Sequence, residues 1–284
     1  MSNKLKSLWK EKMPKVIGAA LNVLAFFSQD YAGKVLLNAI SKPRKGKIES
    51  HQKKFLAKAE TISFDCEGFE VVTYHWRGTG KKILLCHGWE SNAWRWRKLV
   101  AALLKENFYV IALDGPAHGA SGSPLATTPL YASFIHQALT RFQVDVLVGH
   151  SFGGYSSLYS LSHLGNPGIS DLIILASPDR WVDIASAFFD AVGASNSLKK
   201  GLDRAFVEKY GFPQHYYNAS DFAANIDVKG MLIHDAADTI NKVNDGRSIA
   251  SKWENCKYVE TEGLGHGLQS PLVFDKVIDY LKSN

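Results

Sequence analysis

The stretch Val144-Asp145-Val146-Leu147-Val148-Gly149-His150-Ser151-Phe152-Gly153-Gly154 decides the fold of this chain. It opens as a valine-rich run typical of a buried strand and continues into a helical pattern over Tyr155 to Leu164. Any side chain at Gly149 or Gly153 would collide with neighbouring strand or helix backbone, and the turn forces Ser151 into a strained conformation with its hydroxyl exposed. We therefore expect a strand, a sharp turn and a helix, in that order.

The rest of the chain from residue 59 alternates short apolar runs with helical patterns, which predicts βαβ units and a mostly parallel sheet. An opening hairpin is predicted over residues 61–65 and 69–76. Further strands are predicted over 83–86, 109–113, 144–148, 172–176, 231–234 and 257–260, and helices over 92–105, 129–142, 152–164, 243–252 and 272–282.

Polar residues cluster directly after these strands, where a parallel sheet presents its ligands. His87-Gly88-Trp89 follows the strand 83–86, and the loop from Asp114 to Gly119 follows the strand 109–113. The strand 231–234 runs into Asp235-Ala236-Ala237-Asp238, and the strand 257–260 runs into a loop that holds Gly265-His266. A nucleophilic serine needs a base to take its proton, and the base needs an acidic residue to orient it. Ser151, Asp238 and His266 supply these residue types in the order nucleophile, acid, histidine along the chain.

With these motifs the chain resembles the α/β-hydrolase superfamily, in its serine esterase and lipase-like branch, over roughly residues 60–284. The resemblance implies an α/β-hydrolase fold: an eight-stranded, mostly parallel sheet flanked by helices, with no cofactor and no metal. It implies a catalytic triad of Ser151, His266 and Asp238.

Two backbone amides are expected to form the oxyanion hole of this site. They are the N–H groups of Trp89 and Phe152, and the supporting motif residues are His87, Gly88, Gly149 and Gly153.

Asp235 and Asp179 compete with Asp238 for the role of the acid, because each also follows a strand. Asp238 is preferred, since it lies where the family's acid usually falls. Two further histidines are expected to be structural: His118 braces its own loop by hydrogen bonds, and His150 packs beneath the turn.

The activity that the resemblance implies is that of a serine hydrolase, carboxylesterase-like, acting through an acyl-enzyme on a small or medium apolar ester. The haloalkane dehalogenases and epoxide hydrolases of this fold attack with a carboxylate at this position. This chain has Ser151 there, which argues against both activities. Thioester hydrolysis, carbon–carbon bond hydrolysis, a cofactor-free haloperoxidase and a non-catalytic ligand-binding module stay open as alternatives.

A helical cap is expected over residues 177–229, an insertion rich in the aromatic residues of an apolar lid. They are Trp181, Phe188, Phe189, Phe206, Tyr210, Phe212, Tyr216, Tyr217 and Phe222.

Charge and cysteine content narrow the compartment and the partners. The net charge of +6 comes from the N-terminal segment, since residues 1–58 hold 13 Lys or Arg against three acidic residues, and the rest holds 20 basic against 24 acidic residues. The mildly acidic body argues against a nucleic-acid partner. Three scattered cysteines argue against a disulfide framework and favour a reducing, cytoplasmic compartment. The oligomeric state is not determined by the sequence.

Residues 1–58 are expected to be a basic helical extension and linker, joined to an α/β-hydrolase domain over 59–284. Lys4, Lys6, Lys10, Lys12 and Lys15 precede the largely apolar run from Val16 to Phe27. No small-x-small cleavage site follows this run, and about 18 Å of helix is short for a membrane span. A helical hairpin remains, which either packs against the main domain, the favoured alternative, or makes a peripheral contact with an anionic membrane. The polar stretch Ser41 to Lys54 is the expected linker.

Overall fold

The computed structural model describes residues 3–283, with side chains from Met13 onward. The side chains of Lys4, Lys6, Lys10 and Lys12, on which the peripheral membrane contact partly rests, lie outside the described residues. The described residues divide into two compact units. We call residues up to Ser41 with Arg180–Asn218 the helical unit, and Lys42–Asp179 with Ala219–Ser283 the sheet unit.

The sheet unit is built on eight strands. They are β1 (Glu60–Cys66), β2 (Phe69–Trp76), β3 (Lys82–Cys86), β4 (Tyr109–Leu113), β5 (Val146–His150), β6 (Asp171–Leu175), β7 (Lys229–Asp235) and β8 (Cys256–Thr261). Their order across the sheet is β1-β2-β4-β3-β5-β6-β7-β8. Strand β2 pairs antiparallel with β1 and β4, and the other pairs are parallel. This confirms the predicted mostly parallel, eight-stranded sheet.

Helices flank this sheet because each parallel connection needs a crossover. They are α3 (Ser50–Leu56), α4 (Arg97–Lys105), α5 (Thr128–Phe142), α6 (Phe152–Leu164), α9 (Ala219–Ala223), α10 (Val243–Lys252) and α11 (Pro271–Ser283). The apolar side chains of β3, β4 and β5 are fully buried, as expected for strands covered on both faces.

Strand β3 is followed by β4 on one side and later by β5 on the other, so the chain reverses its direction across the sheet at this point. In a parallel sheet the crevice at such a reversal is where ligands bind, beyond the carboxyl ends of the strands. The loops after β3 and β5, which contain His87 and Ser151, both lie at this reversal.

Two local differences from the sequence-based expectations have clear causes. Strand β5 begins and ends two residues later than predicted, because Gly149 and His150 still pair with β6, whereas Asp145 turns towards Lys82. The expected linker 41–54 is helical from Ser50, where a capping box between Glu49 and Gln52 starts α3.

The helical unit contains α1 (Asn3–Phe27), α2 (Gln29–Ile40), α7 (Trp181–Val192) and α8 (Asn196–Tyr210). Glycines let the helices approach closely: a Cβ on Gly18 would lie 1.7 Å from Val192 O, and one on Gly33 would lie 2.0 Å from Gly201 O. The N-terminal helices therefore pack on α7 and α8, which lie within the segment predicted as the cap. No helix among residues 3–283 is long and apolar enough to cross a membrane.

The aromatic residues of the helical unit pack largely on one another. The Phe206 ring lies 4.6 Å from Trp181, 4.8 Å from Tyr210 and 5.1 Å from Tyr217, measured between ring centroids. Two of these contacts are edge to face, and aromatic pairs of this kind stabilise a small helical cluster beyond the area that they bury. Phe206 is thus the centre of the unit's aromatic core.

Candidate active site

Ser151 lies on the turn between β5 and α6 in a backbone conformation that few non-glycine residues adopt, with φ 52° and ψ −120°. The glycines on either side permit this turn. A Cβ on Gly149 would lie 2.5 Å from Gly154 Cα, and one on Gly153 would lie 2.4 Å from Cys86 O. The turn therefore packs against the end of β3 with no room for a larger residue, as its sequence predicted.

The structure brings Ser151, His266 and Asp238 together in one chain of hydrogen bonds. His266 Nε2 lies 3.1 Å from Ser151 Oγ, and His266 Nδ1 lies 2.8 Å from Asp238 Oδ2. Because a carboxylate only accepts hydrogen bonds, Nδ1 carries the proton, and Nε2 is left to accept the proton of the serine hydroxyl.

Asp238 is buried and held by four donors. Its Oδ1 accepts the backbone N–H groups of Ile240 and Asn241, and its Oδ2 faces His266 and His234. Burial alone would raise the pKa of this carboxyl, but the hydrogen bonds from His234 and His266 hold the pKa well below its usual range. Asp238 is therefore a carboxylate at neutral pH and can stabilise a positive charge on His266.

The competing aspartates occupy other positions. Asp235 accepts hydrogen bonds from the Thr261 hydroxyl and from the backbone N–H groups of Ala237, Leu264 and Gly265, so it anchors the loop that carries His266. Asp179 accepts the backbone N–H of Ser220 and the hydroxyl of Ser248. Of the three aspartates, the structure places Asp238 against the imidazole.

The turn after β3 lies directly beside Ser151. A Cβ on Gly88 would lie 3.1 Å from Ser151 Cβ, so only glycine fits this approach without displacement. The rings of Trp89 and Phe152 meet edge to face, with centroids 5.6 Å apart. Phe152 is the first residue of α6, where a backbone N–H has no acceptor within its own helix and points out of the helix start. The two residues predicted to supply backbone amides are thus neighbours.

His87 connects this turn to the loop that follows β4. Its Nδ1 donates to Gly88 O at 2.7 Å, and its Nε2 accepts the Gly115 N–H at 2.9 Å. Burial lowers the pKa of His87 well below its usual value, so the ring is neutral and makes both bonds at once. In the same loop, Asp114 accepts the backbone N–H groups of Ala93 and Ala120.

His118 braces the same region from the other side. Its Nδ1 donates to Pro116 O at 2.8 Å, and its Nε2 accepts the Glu90 N–H at 2.9 Å. Burial lowers the pKa of His118 to about 4, which keeps the ring neutral. His118 therefore ties its own loop to the residue that follows Trp89.

His150, which precedes the serine, contacts the backbone of the opposite histidine. Its Nε2 donates to His266 O at 2.8 Å, and the two rings lie 4.8 Å apart. Burial lowers the pKa of His150 well below its usual value. His150 therefore holds the main chain of the His266 loop at the level of Ser151.

Two supporting residues were not identified from the sequence. His234 is fully buried, and its Nε2 lies 3.4 Å from Asp238 Oδ2 and 3.1 Å from Asn241 O. Arg95 donates from Nη2 to Gly267 O at 2.9 Å, and burial lowers its pKa to about 9. The only sequence signal for His234 is its place at the end of a strand, four residues before Asp238, and Arg95 has none.

A site for a metal would need several ligand side chains in one place. Among the side chains that the structure describes, from Met13 to Ser283, no group of three or more His, Cys, Asp or Glu is arranged to hold a metal ion. The three cysteines are free thiols, with Cys66 and Cys86 buried.

Known proteins are similar to this chain in sequence, and solved structures are similar to it in fold. The chain is similar to the Non-heme chloroperoxidase CPO-A1 of Kitasatospora aureofaciens, at 22% identity covering 71% of this chain and 90% of that protein. It is also similar to the Uncharacterized hydrolase YugF of Bacillus subtilis, at 37% identity over 101 residues, where the match spans only 37% of that protein.

Among solved structures, an esterase of Pyrococcus furiosus superposes with a TM-score of 0.65 at 19% identity, covering 85% of this chain and 97% of that one. At this identity the likeness shows the shared fold. The model of the alpha/beta hydrolase family matches residues 83–274, which include β4, Ser151 and His266. The chain therefore belongs to the alpha/beta hydrolase family.

Proposed function

We propose that this protein is a serine hydrolase that cleaves a carboxylic ester of a small or medium apolar substrate through an acyl-enzyme. The observation that carries the proposal is the hydrogen-bonded chain from Ser151 Oγ through His266 to Asp238. A ligand-binding module has no need of a strained serine aligned with a histidine of defined tautomer, which supports an enzyme over that alternative.

In the first half of the reaction, His266 Nε2 takes the proton of Ser151 as Oγ attacks the ester carbonyl. Asp238 stabilises the imidazolium that forms, and the imidazolium then gives its proton to the departing alcohol. Water attacks the acyl-enzyme by the same route: His266 takes a proton from the water, the acid leaves, and the proton returns to Ser151.

The backbone N–H groups of Trp89 and Phe152 would stabilise the negative charge that develops on the carbonyl oxygen. A preorganised donor of this kind contributes about 3 to 4 kcal/mol to lowering the barrier. Neutral histidines hold the residues on either side of Trp89, since His87 donates to Gly88 O and His118 accepts the Glu90 N–H, so the Trp89 amide is preorganised. The Phe152 amide is held at the start of α6.

The proposed test is hydrolysis of a chain-length series of p-nitrophenyl esters. The variants are Ser151→Ala and, as a matched control, Ser156→Ala, whose buried hydroxyl has no hydrogen-bond partner among the described residues. We expect Ser151→Ala to lose activity while it stays folded by circular dichroism, and Ser156→Ala to keep it. A folded Ser151→Ala variant with wild-type activity would overturn the proposal. Inactivity of all three proteins, with no labelling of Ser151 by a fluorophosphonate, would favour the ligand-binding alternative.

The similarity to a chloroperoxidase favours a second candidate, in which hydrogen peroxide replaces water. Its attack on the acyl-enzyme would release a peracid, and the peracid would oxidise a halide ion. The same esters, assayed with added peroxide and bromide, test it: halogenation of an acceptor dye by the wild type but not by Ser151→Ala supports this activity, and equal halogenation by both excludes it.

A further inference from the structure

Helix α1 has two faces of different character. One face is packed within the helical unit: Gly18, Leu21 and Ala25 are buried. From the same face, the Asn22 side chain donates to Gly193 O and accepts the Ser195 N–H, both at 2.8 Å. These residues recur every three or four positions, so they lie on a single side of the helix. The helix is thus held in one orientation about its own axis.

The opposite face of α1 is apolar and faces solvent. Val16 is 62% exposed, Val23 60% and Phe27 79%. Met13 belongs to the same row, since 13, 16, 20, 23 and 27 follow the helical repeat, and Met13 is also exposed. Phe26 is 83% exposed and meets Phe27 edge to face at the end of the helix. We call Met13, Val16, Val23, Phe26 and Phe27 the outer face of α1.

A large apolar row of this kind on the surface indicates a binding partner. The positive charge next to this face favours one kind of partner over another. Five lysines, Lys4 to Lys15, lie in the first fifteen residues against the single acid Glu11, and Lys15 is exposed beside the outer face. A second copy of this chain would bring a like excess of positive charge against it, whereas anionic lipid head groups complement that charge.

We propose that the outer face of α1 docks the protein on an anionic membrane surface. From Met13 to Phe27 the face runs for about 21 Å along the helix, which suits a helix lying in the plane of the head groups. The aromatic pair enters the acyl boundary, and the positive charge of the N-terminal segment is attracted by the phosphates. The packed face stays on α7 and α8, so docking needs no unfolding of the helical unit.

The test is co-sedimentation of the full chain with vesicles of phosphatidylcholine that contain roughly a third phosphatidylserine, and with vesicles of phosphatidylcholine alone. The variant is Phe26→Ser with Phe27→Ser. The matched control is Phe212→Ser with Tyr216→Ser, which removes another exposed aromatic pair of the same unit, whose rings are stacked. Circular dichroism and a thermal melt show whether each protein is folded.

We expect the wild type to bind the anionic vesicles and to release them as salt is raised. Binding by the Phe26/Phe27 variant should fall about tenfold or more, and the control should stay within about twofold of the wild type. Equal recovery of the variant and the wild type, or no recovery of the wild type, would overturn the proposal. So would light scattering that shows a wild-type dimer and a monomeric Phe26/Phe27 variant without vesicle binding, since the partner would then be a second copy.

Discussion

Asp235, the last residue of β7, and Asp238, in the loop that follows, should respond differently to the same small substitution. The change at Asp238 should reduce activity, and the change at Asp235 should reduce stability. Replacing either by asparagine keeps the size of the side chain and changes one oxygen into an N–H donor. The consequence depends on what faces that oxygen. The pair therefore separates a role in the reaction from a role in the fold.

In Asp238→Asn, the carbonyl oxygen is best kept where Oδ1 accepts the N–H groups of Ile240 and Asn241, at 2.8 and 3.0 Å. The amide nitrogen then replaces Oδ2 and donates towards His266 Nδ1. His266 must adopt the other tautomer, so that Nε2 carries a hydrogen towards Ser151 and cannot take the serine proton. We expect kcat to fall by about 10³ to 10⁴, the size of loss seen when a catalytic histidine is held in the wrong tautomer.

Folding should change little in Asp238→Asn. His234 Nε2 loses its 3.4 Å contact with Oδ2 but keeps Asn241 O at 3.1 Å. We expect a loss of about 1 kcal/mol in the free energy of unfolding.

In Asp235→Asn, the side chain keeps one acceptor oxygen for the four donors that face the carboxylate. The best placement puts the amide nitrogen where Oδ2 stood: the Thr261 hydroxyl can reverse and accept, but the Leu264 N–H, now 3.0 Å from a donor, has no partner. Because the Leu264 amide is part-buried, its lost hydrogen bond should cost about 1 kcal/mol of stability. Activity should stay within about tenfold of the wild type, because the amide oxygen of the variant, in the place of Oδ1, would still accept the Gly265 N–H.

Ester hydrolysis and urea unfolding, followed by tryptophan fluorescence, measure both quantities on the same preparations. Asp179→Asn is the control, because Asp179 anchors Ser220 and Ser248 and should affect stability alone. A thousandfold loss of activity in folded Asp235→Asn with an active Asp238→Asn would refute the assignment. Full activity in both variants would refute the tautomer argument itself.

Three further predictions concern the loops around the site. Ala117 has φ 63°, so Ala117→Gly should raise the free energy of unfolding by about 1 kcal/mol in urea titration, and a loss of stability would contradict the strain. Gly153→Ala would place a Cβ 2.4 Å from Cys86 O, so we expect a loss of roughly 2 kcal/mol or more and of ester hydrolysis, and a stable, active variant would show that the turn can relax. The pKa of His118 is about 4 when folded against 6.5 for the free side chain, so the unfolded chain takes up this proton first and stability falls as the pH drops from 6.5 to 4. The slope should be about 1.4 kcal/mol per pH unit for this group, and His118→Gln, unfolded in urea at several pH values, should lose that part of the slope.

Local pattern was sufficient to predict much of this fold. The valine-rich run, the two glycines and the helical pattern around Ser151 predicted the strand, turn and helix, and the bounds of β2, β4 and α6 agree with the predicted residues. Such features depend on neighbours within a few residues, where side-chain periodicity and backbone sterics decide the conformation. The membership of the family followed from the order of the same motifs along the chain.

The supporting contacts were not predictable in this way. His150 donates to His266 O across 116 residues of sequence, and Arg95 donates to Gly267 O across 172. The Gln52 side chain, which forms the capping box of α3 with Glu49, also accepts a hydrogen bond from Asn92, forty residues away. Contacts between residues so far apart in the chain produce no periodic pattern that a single sequence would show.

The sequence by itself determined the strand–turn–helix that presents Ser151, and it placed three candidate aspartates after two strands. Only the tertiary structure shows which of them contacts His266. Asp235 is the last residue of β7 and pairs with Thr261 of β8, so its carboxylate faces the neighbouring loop. Asp238 lies three residues further on, past the turn, where its carboxylate meets the imidazole of His266. The difference arises from the register between two strands and the direction of one turn, and both depend on packing between segments that are far apart in the chain.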